Sequence, residues 1–280
     1  MLAPFEEEFM RRAIVEMTLL GLAGGAVGCW VVLYELSYAA ESLAHSIFPG
    51  LVIAAIAGIP LLLGATPAIV VAALAIALVS RLPGVGRDVG VAVVVTTMFG
   101  LGVLLALSPS SPPGIETLLF GDILGPSDAD LASATALVAV VAVVLWALHG
   151  RLLATGFDRG SARALGLSPA LVDTALLLLL AAAIVVAVQG LGNLLVVAVF
   201  VGPAAAARRL TDRTGPMIAL AAAIAVLAGL AGLYLSYYAG TAGGASVALA
   251  IVAAYLLCIP LGRLTALRPG KRLQAGATIL

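Results

Sequence analysis

Hydrophobic positions in this chain gather into long runs, with the polar residues collected between them. The runs fall at about 17–35, 43–63, 66–80, 90–107, 131–149, 174–190, 192–207, 216–237 and 244–262. A helix needs roughly 20 apolar residues to cross about 30 Å of hydrocarbon, and several runs meet or approach that length. Backbone groups in hydrocarbon must bond within the segment, so the runs predict helices. A closed β-barrel would instead alternate over segments of about ten residues, a pattern absent here. Pro49-Gly50, Pro60, Pro67 and Pro203 lie within or beside runs. Proline removes a backbone donor, which predicts discontinuous helices lining a protected cavity. The expected fold is an all-α polytopic membrane bundle of eight or nine crossings, the lower count applying if one run between 43 and 80 is re-entrant.

Composition agrees: 63% of residues are hydrophobic and 10% charged, with a mean hydropathy of +1.21. A soluble domain is nearer half apolar and a quarter charged. The expected organisation is one domain over 1–280, with an N-terminal segment 1–16, a connecting loop 150–172 and a tail 263–280. Residues Met1 to Arg12 run from acidic to basic, with no small-residue cleavage site after a short apolar core, so the first run is expected to remain in the mature protein. Cys29 and Cys258 lie in apolar runs and read as small buried hydrophobes.

The basic residues orient the chain. Arg81 and Arg87 share one connection, Arg151, Arg159 and Arg163 another, and Arg208, Arg209 and Arg213 a third; Arg263, Arg268, Lys271 and Arg272 occupy the tail. They alternate with connections free of Lys and Arg around Gly64, 108–130, Gly190 and 239–243. Twelve of the fourteen basic residues thus fall on one side, expected to be the cytoplasm of a bacterial cell with the chain in its inner membrane. Arg11 and Arg12 are left open: outside with nine crossings, inside with eight. The outer connection carries Glu116, Asp122, Asp128 and Asp130, a solvated loop or an acidic mouth that attracts cations or a partner.

Chemistry concentrates where ionisable groups approach membrane depth. Glu41-Ser42-Leu43-Ala44-His45 opens the second run. Glu41 and His45, at i and i+4, project from one helical face and form a two-ligand arm suited to zinc, manganese or ferrous iron. A symmetric second copy would bring the ligands to four; the plainer reading is an interfacial hydrogen-bonded pair. His149 reads as structural, its charge favourable at a helix C-terminus before Arg151.

Two segments look shaped for movement. Gly156-Phe157-Asp158-Arg159-Gly160-Ser161-Ala162-Arg163-Ala164-Leu165-Gly166-Leu167-Ser168-Pro169 predicts a short helix with Gly as stop and Pro beyond, either a plain connector or a docking element for a soluble protein. Gly190-Leu191-Gly192-Asn193-Leu194-Leu195 leads to Gly202-Pro203-Ala204-Ala205-Ala206-Ala207-Arg208-Arg209-Leu210. Its small residues permit close helix approach, and Pro203 predicts a bend.

Together these segments resemble the zinc/manganese ABC permease family over about residues 17–262. The resemblance rests on four motifs in order: Glu41 to His45 ahead of Pro49-Gly50; Leu119-Phe120-Gly121-Asp122-Ile123-Leu124; the Ala162-Arg163-Ala164-Leu165-Gly166 run; and Gly192 to Leu210. It implies metal contact at Glu41 and His45. It further implies coupling to an ATPase through Asp158, Arg159, Ala162, Arg163 and Gly166, and an outer loop carrying Asp122, Asp128 and Asp130. Implied partners are an ABC ATPase, an extracytoplasmic metal-binding protein, a second permease copy and the bilayer, with no nucleic acid. The family commonly has Asp where Glu41 stands, and many relatives carry a basic pair where this chain has Tyr34-Glu35-Leu36-Ser37.

The expected function is the membrane permease of an importer for zinc or manganese, or else iron, working by alternating access. No phosphate-binding Gly-x-x-x-x-Gly-Lys-Ser/Thr run occurs. The chain is therefore read as a transporter rather than an enzyme, with ATP hydrolysed in a partner and no permanently bound cofactor. The alternatives are a permease for chelated metal (haem, siderophore or cobalamin), an ATP-independent secondary transporter, and an intramembrane enzyme, for which no nucleophile–base pair stands out.

Overall fold

The computed structural model describes residues 6–79, 82, 86–112, 123–192 and 195–266, and among these the regular structure is entirely helical. The helices are α1 (Glu8–Leu33), α2 (Ser37–Ser46), α3 (Phe48–Ala57), α4 (Leu61–Val79), α5 (Arg87–Ala106), α6 (Asp128–Phe157), α7 (Arg159–Ala164), α8 (Pro169–Leu191), α9 (Val196–Leu210), α10 (Thr214–Ala239) and α11 (Gly243–Ala266). Among the described residues, eight segments are long and apolar enough to cross a membrane, α2 and α3 together making one of them.

Three boundaries depart from the expectations. The first helix starts at Glu8 rather than 17. The turn expected around Gly64 lies instead at Gly58-Ile59-Pro60. Gly58 takes a left-handed φ of 66°, Ile59 N–H closes onto the Ala54 carbonyl at 3.1 Å, and proline stops continuation. Gly64 sits inside α4 with its backbone against Gly50 of α3, and a Cβ on either would collide with the other's carbonyl oxygen. That glycine serves close packing rather than turning. α4 then returns to the base of α2, where Ile76 and Ala77 share a cavity wall with Leu36 and Ala39, so neither run is re-entrant. Finally, His149 does not end a helix: α6 continues to Phe157, and the His149 ring meets Trp30 edge-on at 5.7 Å.

Contacts between helices decide how often the chain crosses. α9 has 15 residues and spans about 22 Å. It nevertheless runs parallel to α11 through the bundle: Leu195 meets Gly244, Gly202 meets Ile251, and Arg209 meets Gly262. α1 is parallel as well, Gly24 lying on Val199 and Gly28 on Phe200. α9 is thus a short ninth pass among the described residues. Arg12 pairs with Asp128 at 2.6 Å at the start of α6, while Tyr34 hydroxyl donates to the Leu152 carbonyl at 2.7 Å near its other end. The start of α1 therefore stands at the end opposite Arg159 and Arg163, which resolves the side of Arg11 and Arg12.

α1, α9, α10 and α11 pack against one another, α2 to α5 form a second group, and α6 and α8 join the two. The first group is built on glycines one turn apart. Gly21 and Gly25 press on Val226 and Ala222 of α10, whereas Gly24 and Gly28 press on α9. Pro203, buried inside α9, leaves the Val199 carbonyl without its helical donor, and that carbonyl lies against Gly24.

Candidate functional site

Glu41 and His45 both lie on α2, a ten-residue helix whose inner face buries Ala39, Ala40, Leu43 and Ala44. Helical spacing turns Glu41 and His45 the other way. Glu41 is exposed and His45 half-buried, its ring edge-on to Phe99 of α5 at 5.9 Å. Phe99 in turn lies over Phe48 at 5.7 Å. Pro49 cannot donate to the His45 carbonyl four residues earlier. The helix breaks at Ile47, and α3 resumes with Leu51 N–H bonded to the Ile47 carbonyl at 3.2 Å. The candidate ligand arm therefore ends at a built-in discontinuity. Among the described residues, no group of three or more His, Cys, Asp or Glu could hold a metal ion. One chain contributes two such side chains at this place, facing outward.

The segment expected to form a short helix does so as α7. Asp158 is its N-cap, accepting from Gly160 N–H at 2.8 Å, from Ser161 N–H and from the Ser161 hydroxyl. Those bonds, the hydroxyl's first, hold the Asp158 carboxyl below its ordinary range. Arg159 makes a two-pronged pair with Asp173 of α8, at 2.8 and 3.0 Å, which raises its already high pKa. Ala162 is buried, and Gly166 takes a φ of 77° where the chain leaves the helix. Arg163 is exposed, as are Phe157 at 96% and Leu165 at 74%.

At the other end, Ser127 and Asp130 form a capping box at the start of α6. Asp128 is paired with Arg12, which also meets Glu8 at 3.2 Å. The loop without basic residues in sequence therefore receives one from α1. Glu116, Asp122 and the Leu119 to Asp122 motif lie outside the described residues, as do Arg81, Asn193 and the tail residues Arg268, Lys271 and Arg272. Both cysteines are buried free thiols, as expected.

Glu16 escaped the sequence reading. It is 2% exposed in α1 and its carboxylate faces Gly190 of α8, where a Cβ would meet it at 2.5 Å. Placing the first crossing at 17 left Glu16 just outside; a span begun at Glu8 would have marked it as an intramembrane acid. The interleaved glycines of α1 were also legible, as two Gly-x-x-x-Gly pairs in an apolar run.

Residues 6–261 match the model of a family described as the ABC 3 transport family. The chain is 34% identical over 251 residues to the chelated iron transport system membrane protein YfeC of Yersinia pestis, covering 89% of this chain and 85% of that one. It is 32% identical to the manganese transport system membrane protein MntC of Halalkalibacterium halodurans, over 86% and 83% of the two chains. Among solved structures it resembles PsaBC from Streptococcus pneumoniae in complex with Fab, with a TM-score of 0.82 and 26% identity over 99% of this chain and 100% of that one.

Proposed function

The chain belongs to the ABC 3 transport family, and from that premise we propose that it moves a divalent metal ion between Glu41 and His45 of two permease copies. It is a multi-pass permease of an ATP-binding-cassette metal importer, in the company of relatives named for manganese and chelated iron. Manganese or ferrous iron suits a carboxylate–imidazole pair, as does zinc; copper(I) would favour sulfur. The observation that carries the site is the pair on α2, Glu41 exposed and His45 half-buried, one turn apart beside a proline break, with no third such ligand grouped with them among the described residues. A two-fold contact along that face would supply four.

The basic end faces the cytoplasm of a bacterial inner membrane. There α7, with Asp158, Arg159, Ala162, Arg163 and Gly166, rests on a separate ATPase, and the apolar Phe157 and Leu165 give it a surface to grip. At the opposite end a metal-binding protein docks near Asp122, Asp128 and Asp130. Closure of the ATPase pair opens and closes the pathway between copies, with α9 flexing at Pro203. The permease itself hydrolyses no ATP.

Reconstitution tests this reading. The permease is placed in liposomes with a partner ATPase and a metal-binding protein, and uptake of manganese, iron(II) and zinc is measured with and without ATP. ATP-dependent uptake of at least one ion is expected. Uptake that ignores ATP would favour a secondary transporter, and uptake only of a chelate would move the substrate to another class.

A further inference from the structure

Tyr34 occupies the junction between the proposed docking helix and the proposed metal helix. Its ring is 5% exposed, and its hydroxyl donates to the Leu152 carbonyl in the last turns of α6. A Cβ at Gly156 would touch the ring at 3.1 Å, so α6 encloses one side. On the other, the Arg159 guanidinium carbon lies 6.0 Å from the ring centroid, within reach of a cation–π attraction. Arg159 is the first residue of α7 and is itself fixed to α8 through Asp173.

Tyr34 is also the C-cap of α1, and the corner beyond it is stiff. Leu36 N–H bonds to the Val31 carbonyl at 2.8 Å and Glu35 N–H to the Val32 carbonyl at 3.3 Å. This is a Schellman closure in which Glu35 holds a left-handed φ of 58°, a conformation usually left to glycine. α2 begins shortly after, at Ser37, and presents Glu41 and His45 in its second and third turns. It has a rigid corner at one end and the Ile47 break at the other, the form of a short lever. Beneath its base lies a cavity of about 260 Å³, walled by Leu36, Ala39, Ile76, Arg163 and Thr174. The base of α2 therefore has room to shift.

We propose that Tyr34 is the positioning residue through which displacement of α7 reaches Glu41 and His45. Movement of Arg159 drags or releases the tyrosine ring, the closed corner carries the motion to α2, and the break at Ile47 lets α2 tilt without α3. His45 then slides against Phe99, which changes the spacing of the two copies' ligands. The proposal rests on the transport reading and adds the connection between its two sites.

The test uses the assembled transporter in liposomes and counts metal ions moved per ATP hydrolysed. Tyr34→Leu is expected to assemble, to hydrolyse ATP at the wild-type rate and to move about tenfold less metal per ATP, the size of a typical coupling between sites. Tyr34→Phe keeps the ring beside Arg159 and is expected to retain most of the ratio. A nucleotide-dependent change in distance between spin labels at Tyr38→Cys on the two copies should shrink in Tyr34→Leu, a change that simple loss of stability would not produce. An unaltered ratio and label movement in Tyr34→Leu overturns the proposal. If that variant does not assemble, Arg159→Lys decides through the same ratio, expected to fall and overturning the proposal if it does not. A wild-type assembly that moves no metal overturns the transport reading as well, whereas normal wild-type uptake with an unaltered variant overturns only the link.

Discussion

Alanine in place of His45 or Glu41 is expected to lower ATP-driven metal uptake by roughly 100-fold or more while the permease still assembles with its ATPase. Outer partners of a metal's ligands alone change affinity about 10–100-fold, and these residues are the proposed ligands themselves. Assembly should survive because Glu41 is exposed, His45 is half-buried, and alanine favours the helix both occupy. Glu41→Asp is the conservative counterpart. It keeps a carboxylate on a shorter arm, so uptake should persist with an altered order of preference among manganese, iron(II) and zinc. Glu41→Gln separates charge from shape: it removes the negative charge at nearly the same volume and should resemble alanine. Uptake by Glu41→Gln at the wild-type rate would remove the carboxylate from the pathway, and metal binding would have to be sought elsewhere on the face of α2.

Gly28→Ala is expected to be the most damaging single-methyl change in the first helix group. The added carbon would enter the Phe200 carbonyl oxygen, a backbone group that cannot turn aside as a side chain can. α1 and α9 would have to separate, and overpacking of this kind costs about 1–3 kcal/mol, occasionally more. Gly150→Ala in α6 is the matched control. No atom lies within contact of a Cβ there, so removing a flexible glycine from a helix interior should leave stability unchanged or raise it by up to roughly 1 kcal/mol. Thermal unfolding in detergent, read as the fraction remaining monodisperse on size exclusion, compares the two. Equal midpoints for Gly28→Ala and Gly150→Ala would mean that the α1–α9 contact is looser than its geometry indicates.

Much of the bundle could be read from the chain because lipid imposes one rule on every crossing: apolar outside, bonded within. The runs at 90–107, 174–190, 216–237 and 244–262 correspond to α5, α8, α10 and α11, with ends extended by a few residues. Where glycine had two uses, the reading erred. Gly58 and Gly64 both follow apolar stretches, and only the structure distinguishes a residue freed for a left-handed turn from one shaved down for contact with Gly50. The side of Arg12 was undecidable locally, because its partner Asp128 lies 116 residues away. Glu41 and His45 stood out through chemistry in an apolar setting. Tyr34 did not, since its importance comes from Leu152, Gly156 and Arg159, which reach it from another part of the chain.

The brevity of α9 bears on how the molecule is made. Its 15 residues end in Arg208 and Arg209, and it falls short of the length that marks the other crossings. A segment of this kind has little tendency to partition into lipid by itself. It is held at depth by α1, which precedes it in the chain, and by α10 and α11, which follow it. α9 therefore leaves the ribosome before two of these three walls have done so. Chains truncated after Leu210 and released from the ribosome should leave it at the membrane surface, and only those that extend through α11 should draw it in. Accessibility of a cysteine placed at Val197, measured on released chains truncated at increasing length, would report the length needed for entry; protection already complete at Leu210 would show that the helices before α9 suffice.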